Sequence, residues 1–280
     1  MIRIDAHHHL WRPARGDYGW LTPDLTALYR DFEAEDLRPL TQAADIDKTI
    51  LVQAAPTEAE TDYLLAIAHR TPWVAGVVGW TDLAAPDAAR HVAQLAGELR
   101  LVGLRPMLQD LPDPDWILKP DASAGLSAMA THGLVFDALV REFQVPVIVQ
   151  LAERFPTLSI VLDHAGKPVI GGQPSQLWRN AVGALANLSN TSVKLSGLLT
   201  EAPAESGPDI FKPYIDRLLE TFGPDRILWG SDWPVLTVAS DYSAWVAMTE
   251  ILTGALSIQA RQAIWGGTAV RVYGIGGKSE

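Results

Sequence analysis

The sequence contains no cysteine, and this absence removes several kinds of chemistry at once. A disulfide framework, a thiol nucleophile and a thiolate metal site are all excluded. Any metal ion bound by the chain must therefore be held through nitrogen and oxygen atoms of histidine and carboxylate side chains.

Positive charge is also scarce: 22 lysines and arginines stand against 33 aspartates and glutamates, for a formal net charge of −11. Nucleic acids and anionic membranes would be repelled by such a chain, so neither is an expected partner. No apolar run approaches the ~18 residues of a membrane-spanning helix, and the first residues lack the basic start of a signal peptide. We expect a cytoplasmic metabolic protein whose partner is a small molecule.

A glycine-rich phosphate-binding turn is missing after the first predicted strand, which disfavours a doubly wound nucleotide-binding sheet. Short apolar runs instead alternate with longer helical patterns throughout the 280 residues. This alternation, at about 30 residues per strand-helix unit, predicts an α/β fold. We expect a single (β/α)8 TIM barrel over 1–280 with its active site at the carboxyl ends of the strands. The predicted strands are 2–7, 49–53, 74–80, 101–106, 134–137, 158–164, 191–197 and 226–231.

Three consecutive histidines, His7, His8 and His9, end the first predicted strand. Alternate side chains of a strand share a face, so His7 and His9 should converge while His8 points elsewhere. A His-x-His pair at this end of a barrel strand can hold a metal ion or polarise a carbonyl group. Because the run follows Ile2 and Ile4 directly, it differs from an expression tag in disordered polar sequence. A purely structural role for the pair stays open.

Polar or aromatic side chains also end the other seven predicted strands, and in a barrel these ends share one mouth. Histidines and a carboxylate that converge there from strands 1, 6 and 8 would form a hydrolytic centre. The strand-end residues are Gln53, Trp80, Asp82, Arg105, Asp137, His164, Lys194, Ser196 and Asp232.

Four sequence blocks resemble the amidohydrolase-2 branch of the amidohydrolase superfamily. They are DAHHHLW at 5–11, YGW at 18–20, LDHAGKP at 162–168 and GSDWP at 230–234, and the resemblance extends over nearly the whole chain. Within that branch the blocks are most similar to the lactonases of sugar acids and to their pyrone-dicarboxylate relatives. The resemblance implies a (β/α)8 barrel that hydrolyses a cyclic ester.

Roles for individual residues follow from the same resemblance. It implies that Asp232 is the general base and that His164 contacts the substrate carbonyl. His7 and His9 would either bind one divalent metal, completed by His164 and Asp232, or stand metal-free near the carbonyl. Zinc is the expected metal, and the reaction need not require it.

Arg105 separates this chain from the binuclear members of the superfamily, because strand 4 ends there with no bridging lysine or glutamate. Strand 5 ends in Asp137 with no histidine, so a second metal would lack ligands and be repelled by the guanidinium. Arg105 could help polarise the carbonyl or grip a substrate oxygen, or it could simply pair with Asp137 or Asp82 across the mouth.

Lactone chemistry suits these residues. A lactone is an activated acyl donor whose leaving alkoxide stays tethered, so a positioned water, a base and an electrophile can suffice. Asp232 has an ordinary pKa near 4 and would be ionised at neutral pH, ready to accept the proton of water. His164 and Arg105 would polarise the carbonyl and meet the negative charge that grows on its oxygen.

Substrate contacts are expected from tryptophan faces, which suit the apolar faces of sugars, and from hydrogen-bonding side chains. An acidic loop with Asp110, Asp113 and Asp115 disfavours a dicarboxylate and suits a neutral polyhydroxy lactone. Tryptophans at a barrel mouth can equally cap the core, and a buried lysine can tie the barrel together. The predicted substrate-binding residues are Trp11, Trp20, Trp80, Trp233, Gln53 and Lys194.

The leading prediction is hydrolysis of a sugar-acid lactone to the free acid. Hydrolysis of a pyrone-dicarboxylate-type lactone and metal-dependent decarboxylation of an unsaturated acid remain as alternatives. A catalytically silent sugar-acid binder is a third, and the complete His7, His9, His164 and Asp232 set weighs against it. The identity of the sugar and the oligomeric state stay open.

Overall fold

The computed structural model describes residues 2–276, and eight parallel strands in it form one sheet in chain order. Each strand pairs with the next along the chain. The strands are β1 (Ile4–His8), β2 (Lys48–Val52), β3 (Val74–Gly79), β4 (Leu101–Leu104), β5 (Val135–Ala138), β6 (Ile160–Leu162), β7 (Thr191–Leu195) and β8 (Ile227–Trp229).

The sheet closes between the segment after β8 and β1. The amide of Asp232 donates to the carbonyl of His7 at 2.8 Å, and the amide of His9 donates to the carbonyl of Trp233 at 2.7 Å. Gly230 permits this approach, since a Cβ there would lie 2.7 Å from Cβ of His7. The predicted (β/α)8 barrel is confirmed, and its closure places Asp232 directly beside the histidine run.

Helices surround the strands, and several begin where a side-chain oxygen caps the first turn. Thr57 accepts from the amide of Glu60, and Asp241 accepts from the amide of Ala244. The helices are α1 (Ala34–Ala43), α2 (Glu58–Arg70), α3 (Ala88–Leu95), α4 (Ser123–His132), α5 (Val145–Arg154), α6 (Gln176–Ala186), α7 (Pro208–Phe222), α8 (Tyr242–Thr253), α9 (Ile258–Gln262) and α10 (Thr268–Tyr273). Among the described residues, no helix has both the length and the apolar composition needed to cross a membrane.

Two apolar clusters form the core. The larger one lies between the sheet and the surrounding helices. The smaller one collects the alternate, inward positions of the strands together with part of α10, as expected of a filled barrel. Its members are Ile4, Ala6, Ile50, Val52, Val78, Val102, Val135, Val161, Leu228, Ala269 and Tyr273.

Two predicted elements differ from the structure. The helical sequence pattern over 258–273 predicts one closing helix, but this helix is interrupted between α9 and α10. The backbone at Gly266 packs on Ile2, and a Cβ there would lie 2.3 Å from the carbonyl oxygen of Ile2. Strand β6 ends at Leu162 instead of His164, since His164 and Ala165 both adopt positive φ angles that no strand can contain.

Candidate active site

Asp232 lies at the centre of three imidazoles. Its Oδ1 atom is 3.3 Å from Nε2 of His9, 3.7 Å from Nε2 of His7 and 3.9 Å from Nε2 of His164. All four side chains are buried. Segments at the carboxyl ends of β1, β6 and β8, far apart in sequence, therefore meet around one carboxylate.

Two of these four residues have a left-handed backbone conformation, which directs their side chains into the site. His164 has φ of 52° and Asp232 has φ of 59°. Non-glycine residues in this region cost about 1 kcal/mol or more, and such strain is characteristic of functional sites. Both residues leave the direction of their strands at these turns, and both line the same cavity.

The three histidines point alternately to opposite sides of β1, and the pairing of β1 with β2 shifts register between Asp5 and His8. His7 and His9 approach each other at 3.2 Å between their Nε2 atoms, whereas Nε2 of His8 is 2.8 Å from Oγ1 of Thr49. His9 Nδ1 lies 2.8 Å from the carbonyl of Val52. Since a carbonyl only accepts, His9 carries its proton on Nδ1 when neutral, and the lone pair of Nε2 faces the site.

Arg105 is fixed beside this group by four contacts. One guanidinium nitrogen is 3.2 Å from Oδ2 of Asp163 and 3.4 Å from Nε2 of His7, and the other donates to the backbone carbonyl of Gln53. In return, Nε2 of Gln53 donates to the carbonyl of Arg105 at 2.6 Å. The guanidinium thus holds a fixed positive charge at the cavity wall.

A buried ionic cluster lies behind the histidines. Lys194 Nζ is 3.0 Å from Oδ1 of Asp163 and 3.1 Å from Nδ1 of His7, and it also donates to Asp137. Tyr273 adds a hydroxyl 2.9 Å from Asp137. Buried charges persist where they are paired and hydrogen-bonded, so this cluster gives the site a rigid polar base.

Asp5 supports the site through a further set of buried hydrogen bonds. Its carboxylate accepts from the amide of Ser231 at 2.8 Å, from the hydroxyl of Ser231 at 2.6 Å and from the hydroxyl of Tyr242 at 3.0 Å. These bonds tie β1 to the turn that carries Asp232, and they position the carboxylate indirectly.

The pKa values of the central groups are strongly perturbed. Burial alone would raise the pKa of Asp232, but the imidazoles, His164 foremost, lower it well below its ordinary value. Burial lowers the pKa of His164 to about 4. Burial and the ammonium of Lys194 hold the pKa of His7 well below its usual range. At neutral pH the site therefore contains an ionised aspartate next to the neutral imidazoles of His7 and His164.

His7, His9 and Asp232 could together hold one divalent metal ion. One ligand atom from each lies within 4.8 Å of the others, and all three residues are buried. The hydrogen bond from His9 to Val52 is the outer-sphere support typical of a metal-binding histidine. Arg105, 3.4 Å from His7, would oppose added positive charge. The donor set fits a single ion bound through nitrogen and oxygen.

A cavity of about 250 Å³ opens over these groups. His9, His164, Arg105 and Asp232 form its inner wall, and apolar side chains with a few polar ones complete it. The remaining lining residues are Trp20, Ala54, Met107, Gln109, Asp110, Leu139, Lys167 and Val235.

Four predicted substrate-binding residues lie outside the lining of this cavity. Trp11 is fully buried, stacks on His9 and donates to the carbonyls of Leu28 and Arg30. Trp233 packs edge-on against Phe32. Gln53 and Lys194 are fully buried and engaged by the pairs described above.

Two further expectations have a different outcome in the structure. Trp80 lines a neighbouring cavity instead of the catalytic one, whereas Trp20 lines both. Arg105 pairs with Asp163 and not with Asp137 or Asp82, while Lys194 contacts both Asp137 and Asp163.

Asp163 is the main residue that sequence reasoning missed. It is fully buried and bridges Arg105 and Lys194. A signal was available, because an acidic residue directly precedes His164 at the end of a predicted barrel strand. Ser196, named from the sequence only as a strand-end residue, has its Oγ 2.9 Å from Nδ1 of His164.

A barrel whose strand ends bring a His-x-His pair, a third histidine and an ionised aspartate to one cavity defines an enzyme that activates water. The family model described as amidohydrolase matches residues 4–275. The chain belongs to this amidohydrolase family.

Two curated relatives are similar along almost their whole length. L-fucono-1,5-lactonase of Burkholderia ambifaria is 44% identical over 280 residues, covering 98% of this chain and 96% of that protein. L-fucono-1,5-lactonase of Burkholderia multivorans is 37% identical, with the same coverage of each chain. Among solved structures, an amidohydrolase of Burkholderia multivorans with bound zinc is 36% identical, with a TM-score of 0.91, and covers 98% of this chain and 100% of that one.

Proposed function

We propose that this chain hydrolyses the lactone of a sugar acid to the free acid. The observation that carries the proposal is the ionised carboxylate of Asp232, which lies within 3.9 Å of three imidazole nitrogens at the wall of the cavity. The two relatives named L-fucono-1,5-lactonase support the lactone of a six-carbon deoxy sugar acid as the substrate.

Asp232 is the proposed general base. Its lowered pKa keeps it ionised at neutral pH, so it can accept a proton as the water oxygen bonds to the carbonyl carbon. The tetrahedral intermediate then collapses, the ring C–O bond breaks, and Asp232 returns the proton to the leaving alkoxide. The new carboxylic acid releases its proton to solvent.

Arg105 and His164 are proposed to stabilise the oxyanion. The guanidinium of Arg105 carries a permanent charge, and its ties to Asp163 and Gln53 pre-organise it. His164, which is neutral because burial lowers its pKa to about 4, can donate from Nε2 when the hydroxyl of Ser196 donates to Nδ1. Fixed donors of this kind are worth about 3 kcal/mol each in comparable sites.

We propose that His7, His9 and Asp232, with His164 nearby, would hold one zinc ion when metal is bound. Bound there, such an ion would polarise the carbonyl as a Lewis acid. Arg105 already supplies positive charge at this wall, so we propose that the metal is dispensable for a substrate as reactive as a lactone.

The cavity walls combine apolar surface with charges of both signs, since Arg105 and Lys167 line them along with Asp110 and Asp232. Trp20, Met107, Leu139 and Val235 offer apolar surface to the ring carbons and to a methyl group, while Asp110 disfavours a second carboxylate. We accordingly propose a role in carbohydrate metabolism in the cytoplasm, performed by a single domain over 1–280 acting on a small molecule.

A panel of aldonolactones monitored with a pH indicator tests the proposal, because every turnover releases one proton. We expect hydrolysis of a sugar lactone above the spontaneous rate. Acid release from a pyrone dicarboxylate alone would favour that class of lactone instead. Metal-dependent release of carbon dioxide from an unsaturated acid, without lactone turnover, would identify a decarboxylase.

A further inference from the structure

A second cavity adjoins the catalytic one and has no part in the proposed hydrolysis. Its volume is about 410 Å³, against about 250 Å³ for the cavity at Asp232. This volume is within the range that binds small molecules in proteins. Trp20, Met107 and Asp110 line both cavities, so the two cavities adjoin at these residues.

Aromatic faces and carboxylates dominate the second cavity. Trp20, Trp80 and Trp116 contribute the rings, and Asp17 and Asp82 contribute carboxylates in addition to the shared Asp110. Indole faces suit the C–H face of a pyranose, and carboxylates accept hydrogen bonds from its hydroxyl groups. This combination of indole faces and hydrogen-bond acceptors is suited to binding a sugar ring.

Charge at this cavity favours a neutral ligand. Asp17 pairs with Arg15 at 2.5 Å, and Asp110 lies 3.9 Å from Arg141. Asp82 accepts the amide of Ala84 at 2.9 Å. Within residues 2–276, no lysine or arginine lines the cavity, so an anion has no partner there. Two of the three aspartates, Asp17 and Asp110, already have a cationic partner.

Trp20 forms a fixed wall between the two spaces. Its Nε1 donates to the carbonyl of Ala54 at 2.7 Å, and its ring meets Trp11 edge-on at 5.3 Å. The loop that carries Ala54 is itself held, because the buried Glu60 carboxylate accepts from the amides of Ala54 and Ala55. A ring stacked on Trp20 therefore meets a pre-organised surface.

We propose that the second cavity is a sugar subsite, and that the enzyme also hydrolyses aldonolactones carrying a neutral pyranose in glycosidic linkage. The inference rests on the proposed lactone hydrolysis and extends its substrate class. Water adds to the lactone carbonyl, the ring C–O bond breaks, and one water proton ends on the released hydroxyl while the new acid loses the other. The glycosidic bond stays intact.

Trp116→Ala tests the subsite, because Trp116 lines only the second cavity. Two substrates are compared: the monosaccharide aldonolactone that the enzyme turns over best, and the same lactone bearing a β-linked hexopyranose. We expect Trp116→Ala to lower kcat/KM for the glycosylated lactone by about tenfold or more and to leave the monosaccharide lactone unchanged. Retained monosaccharide turnover also shows that the variant is folded.

Trp73→Ala is the matched control, since Trp73 is also partly buried but precedes β3, at the opposite end of the barrel. It should leave the ratio of the two kcat/KM values unchanged. Two results would overturn the subsite proposal while lactone hydrolysis stands. The wild-type enzyme could hydrolyse only the monosaccharide lactone, or Trp116→Ala could lose activity equally on both substrates. Turnover of neither lactone would overturn both proposals. Inhibition by tetramethylammonium that depends on Trp116, without turnover of the glycosylated lactone, would identify a cation site instead.

Discussion

Gly197 lies directly against the imidazole of His164, so closely that a Cβ at position 197 would fall 2.3 Å from Nδ1. The backbone of Gly197 also has φ of 64°, a conformation that favours glycine. The hydroxyl of the preceding Ser196 contacts the same Nδ1 at 2.9 Å. The turn after β7 therefore fixes where His164 stands relative to Asp232.

Gly197→Ala should displace His164 and slow lactone hydrolysis. A shift of about 1 Å in a catalytic group can cost about 10²-fold in rate, and we expect a loss of that size in kcat/KM. Gly207→Ala is the control, because a Cβ at Gly207 meets nothing within 4 Å. Steady-state kinetics of both variants check the prediction, and wild-type activity in Gly197→Ala would contradict it.

Lys194→Met should destabilise the barrel, since it leaves Asp137 and Asp163 buried without their shared ammonium partner. Breaking a buried ion pair in this way costs about 3–5 kcal/mol in the free energy of unfolding. Lys212→Met, which removes an exposed pair with Asp216, should change the stability by only about 0.5 kcal/mol. Urea denaturation of both variants measures the difference. Equal stabilities would show that the buried cluster is not a structural support.

Stability should depend on pH through Glu60. Burial raises the pKa of this carboxyl group to about 7 in the folded chain, from an ordinary value near 4.5. Between these values the folded state keeps a proton that the unfolded chain has lost, so stability falls as pH rises across that window. Glu60→Gln removes this dependence. We compare the free energy of unfolding of Glu60→Gln with that of wild type at each pH. The difference should favour the variant by about 3 kcal/mol more at about pH 7 than at about pH 4.5.

Denaturation at several pH values tests the Glu60 prediction, with Glu153→Gln as the control for an exposed helical glutamate. The Glu153→Gln variant controls for the loss of a carboxyl group at the helix surface. A constant difference for Glu60→Gln would mean that the carboxyl group titrates normally when buried.

Removal of metal should leave lactone hydrolysis in place. Arg105 supplies the positive charge at the cavity wall, and Asp232 is ionised without help from an ion. Dialysis against a strong chelator, followed by elemental analysis and kinetics on the same sample, measures both quantities. Activity that falls in proportion to metal content and returns with added zinc would contradict this expectation.

The sequence predicts the barrel well because its signals are local. Strand-length apolar runs recur at a regular interval, and the alternation within β1 correctly separates His7 and His9 from His8. The interrupted helix at Gly266 was not predictable, because the interruption follows from packing against Ile2, more than 260 positions earlier.

The side-chain partners at the mouth were harder to predict than the strand ends. The sequence offered Asp137 and Asp82 as partners of Arg105, but the guanidinium pairs with Asp163, which also contacts Lys194. Trp11 and Trp233 resemble rim residues in sequence, yet the loop around Phe32 buries them. These outcomes depend on competition between contacts in three dimensions, which residue type and spacing do not encode.

Turnover of a sugar lactone by Asp232→Asn is the most direct test of the catalytic account. Asparagine keeps the shape of the side chain but cannot accept the proton of water, so kcat should fall by about 10²–10⁴-fold. Asp62→Asn, at an exposed position of α2, should retain wild-type activity. Circular dichroism confirms that both variants are folded. Near wild-type hydrolysis by folded Asp232→Asn would contradict the assignment of this carboxylate as the base.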